Sequence, residues 1–180
     1  MTLLHRIGCC TLLTLACASA AQAETPRAAW HAQIGHGYSQ LADATSELEK
    51  TAGSYCEAPS PANLQQLKET WLAAFSAWQA VRFVGFGPIE ENTRAWKFQF
   101  WPDPKNLTAS KVDYWLNSDK SITAEAVGKD SVALQGFPAV EYLLYDERIT
   151  ATDKALPAER SCALMTAISS NLDANADSLN

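Results

Sequence analysis

The chain has 180 residues, with 14 basic and 20 acidic side chains and a formal net charge of −6. This negative balance argues against binding to nucleic acid or to anionic membrane surfaces, because basic clusters supply the attraction in both cases. It is compatible with cation binding but does not demonstrate it.

The first 23 residues have the pattern of an export signal. Arg6 precedes an apolar stretch over Ile7–Ala18, and Ala21-Gln22-Ala23 matches a signal peptidase site. The apolar stretch is shorter than the ~20 residues that span a bilayer. We therefore expect a cleaved leader over residues 1–23 and a periplasmic protein without a transmembrane segment, whose net charge becomes −7 once Arg6 is lost. A lipid anchor at Cys17 is the less favoured alternative.

Only two of the five cysteines follow the leader, because Cys9, Cys10 and Cys17 lie within it. An even pair in an oxidising compartment predicts a disulfide between Cys56 and Cys162. Closing a loop of that length would contribute ~4 to 5 kcal/mol by the chain-entropy model. Two buried free thiols are the alternative.

Apolar residues recur every three or four positions along most of the remaining chain, which predicts helices. The predicted elements are a long helix over Pro26–Tyr55, a second from Pro61 to about Val84 capped by Ser60, an aromatic loop over 91–106, short helices over Ser110–Asn117 and Ser121–Val127, a helix after Gly136, and a last helix from Pro157 onward. No segment alternates with period two. We therefore predict an all-α, antiparallel helical bundle over residues 24–180. The last helix has no C-cap signal, so we expect the chain to be part of a longer, two-bundle protein.

Strong catalytic signatures are absent from the sequence: there is no phosphate-binding glycine loop, nucleophile elbow, Cys-x-x-Cys pair or zinc-peptidase helix. His31 and His36 are five residues apart, which places them ~140° from each other around a helix. They therefore cannot readily share one metal ion.

Three short stretches, GFGPI at 85–89, FWPD at 100–103 and GFPAVEYLLY at 136–145, occur in an order that resembles the imelysin family. The resemblance extends from the Trp71 helix to the Cys162 helix. It implies a helical bundle, a periplasmic location and a role in iron uptake, with iron or an iron-containing ligand and envelope iron-uptake proteins as partners. The hallmark of the family is G-x-H-x-x-E, which this chain matches at Gly136 and Glu141 but not at Pro138.

The substitution at position 138 has a chemical consequence. Histidine and glutamate three residues apart share a helix face and can both ligate a metal, whereas proline offers no lone pair. Glu141 is then the candidate metal ligand on this helix, and other ligands must come from elsewhere. Oxygen-rich sites of this kind suit hard ions such as ferric iron. A simpler interpretation makes Pro138 a first-turn residue and Glu141 a carboxylate favoured by the helix dipole.

A helical wheel places Glu141 at the border of the core, where an unpaired charge is costly. Arg82 falls on the aromatic stripe of the second helix and needs a partner as well. We hypothesise that Arg82 and Glu141 pair inside the bundle, with Tyr142 or Tyr145 donating hydrogen bonds, either as a structural ion pair or as part of a pocket.

Aromatic side chains are concentrated in the predicted loop, at Trp96, Phe98, Phe100 and Trp101. Packing against one end of the bundle is the expected role, because each buries ~150 to 250 Å². Lining of a binding cleft is the alternative. Asp103, between two prolines, is expected to be a turn residue.

The function that these observations favour is a binding component of iron acquisition, with Glu141, Arg82, Gly136 and Tyr145 as candidate binding residues. A metallopeptidase is one alternative, but it would need at least three protein ligands for its metal, and the histidine of the motif is missing. A structural or interaction module of the cell envelope is another.

Overall fold

A computed structural model describes residues 25–180, and all regular secondary structure in this range is helical. The predicted all-α fold is thereby confirmed. The predicted leader, with Cys9, Cys10 and Cys17, lies outside the described residues. The helices in the described part are α1 (Pro26–Glu57), α2 (Pro61–Val81), a 3₁₀ segment (Gly87–Thr93), α3 (Arg94–Phe98), α4 (Leu107–Asn117), α5 (Ala124–Lys129), α6 (Val132–Gln135), α7 (Phe137–Tyr145), α8 (Glu147–Thr150) and α9 (Glu159–Asp177). None of them combines the length and apolar character that crossing a membrane requires.

Both long N-terminal helices begin with a capping hydroxyl followed by proline. Thr25 Oγ1 accepts a hydrogen bond from the backbone N–H of Ala28, and Ser60 Oγ accepts one from Asn63. Each cap satisfies a donor that the first helical turn leaves free, and proline at the next position has no N–H to lose. The predicted cap at Ser60 is confirmed.

Helices α1 and α2 pack antiparallel across the short connection between them. The Thr51 and Thr70 hydroxyls are 2.7 Å apart near the connected ends, and Gly37 lies against Val81 at the far ends. A side chain at Gly37 would collide with Val81, because a Cβ atom there would lie 2.5 Å from the Val81 Cγ1 atom. Close contact between the two helices therefore depends on this glycine.

Helix α9 packs antiparallel to α1 on another side. The disulfide between Cys56 and Cys162 joins the end of α1 to the start of α9, which confirms the predicted bond. Farther along, Thr45 Oγ1 lies 3.3 Å from Asp173 Oδ1, and Ser39 Oγ lies 3.1 Å from Asn180 Oδ1. Three long helices thus form the frame, and the shorter helices pack against it.

Several predicted boundaries and one predicted loop differ from the structure. Helix α4 begins at Leu107 instead of Ser110, because both oxygens of Asp103 accept backbone N–H groups of its first turn. Helix α5 begins at Ala124 after a cap by Thr123. The prediction of an aromatic loop is wrong for residues 94–98, which form α3; the buried ring of Phe98 anchors this turn in the core.

Candidate binding site

The start of α7 is held against α3 by a backbone contact at Gly136. The backbone of Gly136 is extended, with φ −106° and ψ −175°, which any residue can adopt. A Cβ atom here would lie 2.8 Å from the carbonyl carbon of Phe98, 2.9 Å from the carbonyl oxygen of Lys97, and closer still to the carbonyl oxygen of Phe98. Glycine is therefore required by the close approach of two backbones, and not by an unusual torsion.

Phe137, the next residue, fixes α7 against the aromatic side of α2. Its ring centroid is 5.5 Å from that of Phe75 and 6.5 Å from that of Phe98, and its carbonyl accepts a hydrogen bond of 3.3 Å from the Trp71 indole. This packing fixes the rotation of α7 about its axis, because a short helix packed at its first turn has little freedom to rotate. It thereby sets the direction of the side chains farther along the helix.

Helix α7 is buried except along one stripe. Six of its nine residues are buried, and the other three are Pro138, Glu141 and Tyr145. These positions follow the i, i+3, i+7 spacing of a single helix face. The two motif positions that the sequence singled out, 138 and 141, therefore share the open face of an otherwise enclosed helix.

This open face borders a cleft of about 440 Å³. The cleft is lined by Phe100, Trp101, Asp103, Asn106, Thr108, Ala109, Pro138, Glu141, Tyr142, Tyr145, Asp146 and Arg148. Glu141 reaches solvent, yet the surrounding protein removes part of its hydration, and this desolvation raises the pKa of its carboxyl. Within residues 25–180 the Glu141 carboxylate forms neither an ion pair nor a hydrogen bond.

The other charged groups of the cleft are already engaged. Arg148 Nε and Nη2 donate to the two carboxylate oxygens of Asp146 at 2.8 and 2.7 Å, and this fork lowers the pKa of Asp146. Asp103 caps α4; burial opposes its ionisation, but hydrogen bonds from Thr108 and Leu107 outweigh that effect and lower its pKa. Glu141 is consequently the carboxylate of the cleft that is available to a ligand.

Aromatic rings form the remaining walls. Trp101 is 63% exposed and Tyr145 is 44% exposed, whereas Tyr142 is buried and its hydroxyl donates to Asp113 at 3.2 Å. Burial and the Asp113 charge raise the pKa of Tyr142 to about 12, so its phenol remains protonated at neutral pH. The Arg148 guanidinium lies 4.8 Å from the Tyr142 ring centroid.

The predicted pair between Arg82 and Glu141 is wrong, because no ion pair joins them in the described part of the chain. Helix α2 ends at Val81, which leaves Arg82 exposed at its C-cap instead of on the inward face of a continuing helix. The Arg82 guanidinium donates to Gln79 Oε1 at 2.9 Å and lines a different cavity, near Trp96. Neither tyrosine donates to such a pair: Tyr142 bonds to Asp113, and Tyr145 does not hydrogen-bond to Arg82 or Glu141.

The aromatic stretch serves both of the roles considered for it. Phe98 is fully buried and stacks on Trp78 at a centroid distance of 4.7 Å, whereas Phe100 and Trp101 line the cleft. Trp78 and Gln79 donate to the same side-chain oxygen of Gln99, each at 3.0 Å, and so hold the residue that precedes Phe100.

The imelysin family profile matches residues 34–180, which is most of the chain. The chain belongs to the imelysin family. Its fold resembles the crystal structure of an imelysin-like protein from Psychrobacter arcticum 273-4, with a TM-score of 0.70 and 28% identity over 79% of this chain and 43% of that one. It is also 27% identical over 109 residues to "Iron-regulated protein A" of Synechococcus elongatus, covering 60% of this chain and 27% of that protein. This imelysin chain thus spans less than half the length of either relative.

An iron ion would find few protein ligands in this imelysin chain. Residues 25–180 contain no group of three or more His, Cys, Asp or Glu side chains that could hold a metal ion. Pro138 contributes no lone pair, and both His31 and His36 are exposed on α1. The donor set around Glu141 is therefore too small for a bare ion to be held by these residues alone. The role of Glu141 as a metal ligand stays a prediction.

Sequence reasoning missed the Asp146–Arg148 fork and the bond from Tyr142 to Asp113. A local signal existed for the fork: Asp146 directly follows α7 and caps α8, accepting the backbone N–H of Arg148 at 2.9 Å. An Asp two residues before an Arg at a helix start is a recognisable cap. No local pattern indicates Asp113, which belongs to α4 and lies 29 residues away in sequence.

Proposed function

We propose that this imelysin protein is a periplasmic binding component of iron acquisition, and that the cleft beside α7 is its binding site. The observation that carries the proposal is the unpaired carboxylate of Glu141. This residue belongs to the family motif and faces a cleft with aromatic walls. Ligand sites in proteins are typically concave and largely apolar, with a few polar groups that fix orientation.

The link to iron comes from one relative. The cyanobacterial relative is named an iron-regulated protein, which supports an iron-related role for this chain. Binding is favoured over catalysis because Pro138 replaces the histidine that a metal-activated water would need. The periplasmic location rests on the export pattern of residues 1–23, which predicts cleavage after Ala23.

A deletion strain tests the physiological part of the proposal. We expect it to grow more slowly than the parent strain when iron is limiting and normally when iron is abundant. The wild-type gene should restore growth, and a Glu141→Gln copy should not. Glu125→Gln is the matched control, because Glu125 is an exposed acid paired with Lys129 on α5.

The same strains test the location. Cell fractionation and N-terminal sequencing of the mature protein should place it in the periplasm with Glu24 as its first residue. Normal growth of the deletion strain at every iron level, or full rescue by the Glu141→Gln copy, contradicts the assigned function.

A further inference from the structure

One carboxylate of the cleft is free to pair with a ligand. Three carboxylates line it, and two of them are neutralised or hydrogen-bonded by the protein: Asp146 by Arg148, and Asp103 by the first turn of α4. Glu141 is left with a free carboxylate. Lys68, which lies 5.1 Å from the centroid of the Tyr145 ring, does not line the cleft. A ligand that presents one positive group to Glu141 therefore complements the free carboxylate.

A bare metal ion does not suit this arrangement. Residues 25–180 offer one free carboxylate at the cleft and no ligand group of three. A hard cation bound by protein oxygens normally takes several such ligands. A metal complex avoids this requirement because its own ligand supplies the donor atoms. An organic cation avoids it because it needs no donor atoms.

Trp101 supplies the second recognition element. Its side chain is 63% exposed at the rim of the cleft. In the described part of the chain, its ring pairs with no other aromatic ring and no cation. Large aromatic side chains usually bury most of their surface, and the indole face is the strongest aromatic acceptor for a cation. Tyr145 is also exposed on the open stripe of α7, but its ring already contacts Trp71 and the Lys68 ammonium.

We propose that the cleft binds an intact ligand with one positively charged group. The charged group would lie beside the Glu141 carboxylate, and the apolar surface of the ligand would lie against the Trp101 ring. A positively charged metal complex and an organic ammonium compound share this chemistry. The inference rests on the proposed binding role of the cleft and specifies the class of ligand that the cleft takes. It also implies that anionic iron complexes are poor ligands, because they would face the Glu141 charge in an acidic protein.

Calorimetric titration of the purified protein with four probes tests the inference. The probes are the ferric complex of desferrioxamine B, which carries one ammonium group and a net charge of +1, metal-free desferrioxamine B, anionic ferric citrate, and ferrous ion under anaerobic conditions. We expect one or both desferrioxamine forms to bind at least tenfold more tightly than ferric citrate or ferrous ion. Preference for the ferric form identifies a metal complex as the ligand class, and equal binding of both forms identifies the ammonium group as the recognised feature.

Two variants probe the two elements separately. Trp101→Ala should weaken binding of the preferred probe about three- to thirtyfold, as expected for loss of a cation–π contact. Glu141→Gln should weaken it tenfold or more. Trp30→Ala and Glu125→Gln are matched controls, because Trp30 is 47% exposed on α1 and Glu125 is an exposed acid on α5. All four changes are at exposed side chains, and circular dichroism verifies that each variant is folded.

Three results would overturn the inference: tighter binding of ferric citrate or ferrous ion, failure of both desferrioxamine forms to bind, or unchanged affinity in the Trp101 and Glu141 variants. These results are distinguishable from failure of the proposed function. A growth defect of the deletion strain together with binding of ferric citrate would retain the iron role and reject the cationic ligand. Cation binding without a growth defect would retain the cationic ligand and reject the iron role.

Discussion

Replacing Gly136 with alanine should destabilise the protein through one added methyl group. The extended backbone at this position accepts alanine without torsional strain, so the effect isolates the steric contact. The new Cβ would lie 2.8 Å from the Phe98 carbonyl carbon and 2.9 Å from the Lys97 carbonyl oxygen. Both are backbone atoms at the end of α3, and neither can rotate away as a side chain would.

Relief of this clash requires α7 and α3 to separate, which would loosen the packing of Phe137 against Phe98. Overpacking of a core costs typically 1–3 kcal/mol, and a contact with backbone on one side belongs at the upper end, so we expect a loss of about 3 kcal/mol. For a domain of this size that corresponds to a fall in melting temperature of roughly 6–12 °C.

Urea unfolding followed by circular dichroism measures the change. Gly35→Ala in α1 is the matched control, because no atom lies within 4 Å of its added Cβ; it should stabilise the helix by about 0.5–1 kcal/mol. The reasoning is refuted if Gly136→Ala unfolds at the same urea concentration as the wild-type protein.

Two other predictions concern stability. Cys56→Ala combined with Cys162→Ala should lower the free energy of unfolding by about 4–5 kcal/mol, because the bond closes a loop across 106 positions; a reductant should destabilise the wild-type protein in urea unfolding and leave the double variant unchanged. Asp130→Asn should cost about 1 kcal/mol at pH 7. Burial opposes ionisation of Asp130, but hydrogen bonds from Lys111, the Ser131 backbone and Trp115 lower its pKa below the ordinary 3.8. Its stabilising contribution is therefore complete above that value and disappears as the pH falls through the lower folded-state pKa, so unfolding measured from pH 7 to pH 2 should show wild type and variant converging. A constant difference across this range would contradict the assignment.

The features that sequence predicted correctly depend on local signals or on a small number of possibilities. Ser60 followed by Pro61 marks a helix start through two adjacent residues. The apolar period of α1 extends over nine turns, so a single irregularity does not obscure it. With two cysteines after the predicted leader, the pairing of Cys56 with Cys162 had no competitor within residues 25–180.

The pairing of Arg82 was wrong because it depended on where a helix ends. A helical wheel assumes that the helix and its packing continue, and this assumption fails at the end of a helix. Arg82 directly follows the last residue of α2, and its guanidinium finds Gln79 on its own helix. Long-range contacts such as Tyr142 to Asp113 likewise depend on the packing of separate helices, which no short sequence window contains.

The exposure pattern of α7 shows how the family motif keeps its place at the cleft although proline replaces its histidine. Positions 138 and 141 lie on the same open stripe as Tyr145, and the burial of the six other residues fixes that stripe toward the cleft. Imidazole at position 138 would place a second metal-binding group beside Glu141, whereas proline leaves an apolar surface there. The substitution thus leaves the orientation of the stripe unchanged and places Glu141 beside an apolar surface instead of an imidazole. A ligand that brings its own coordination shell, as proposed for the cleft, would need no second metal-binding group there.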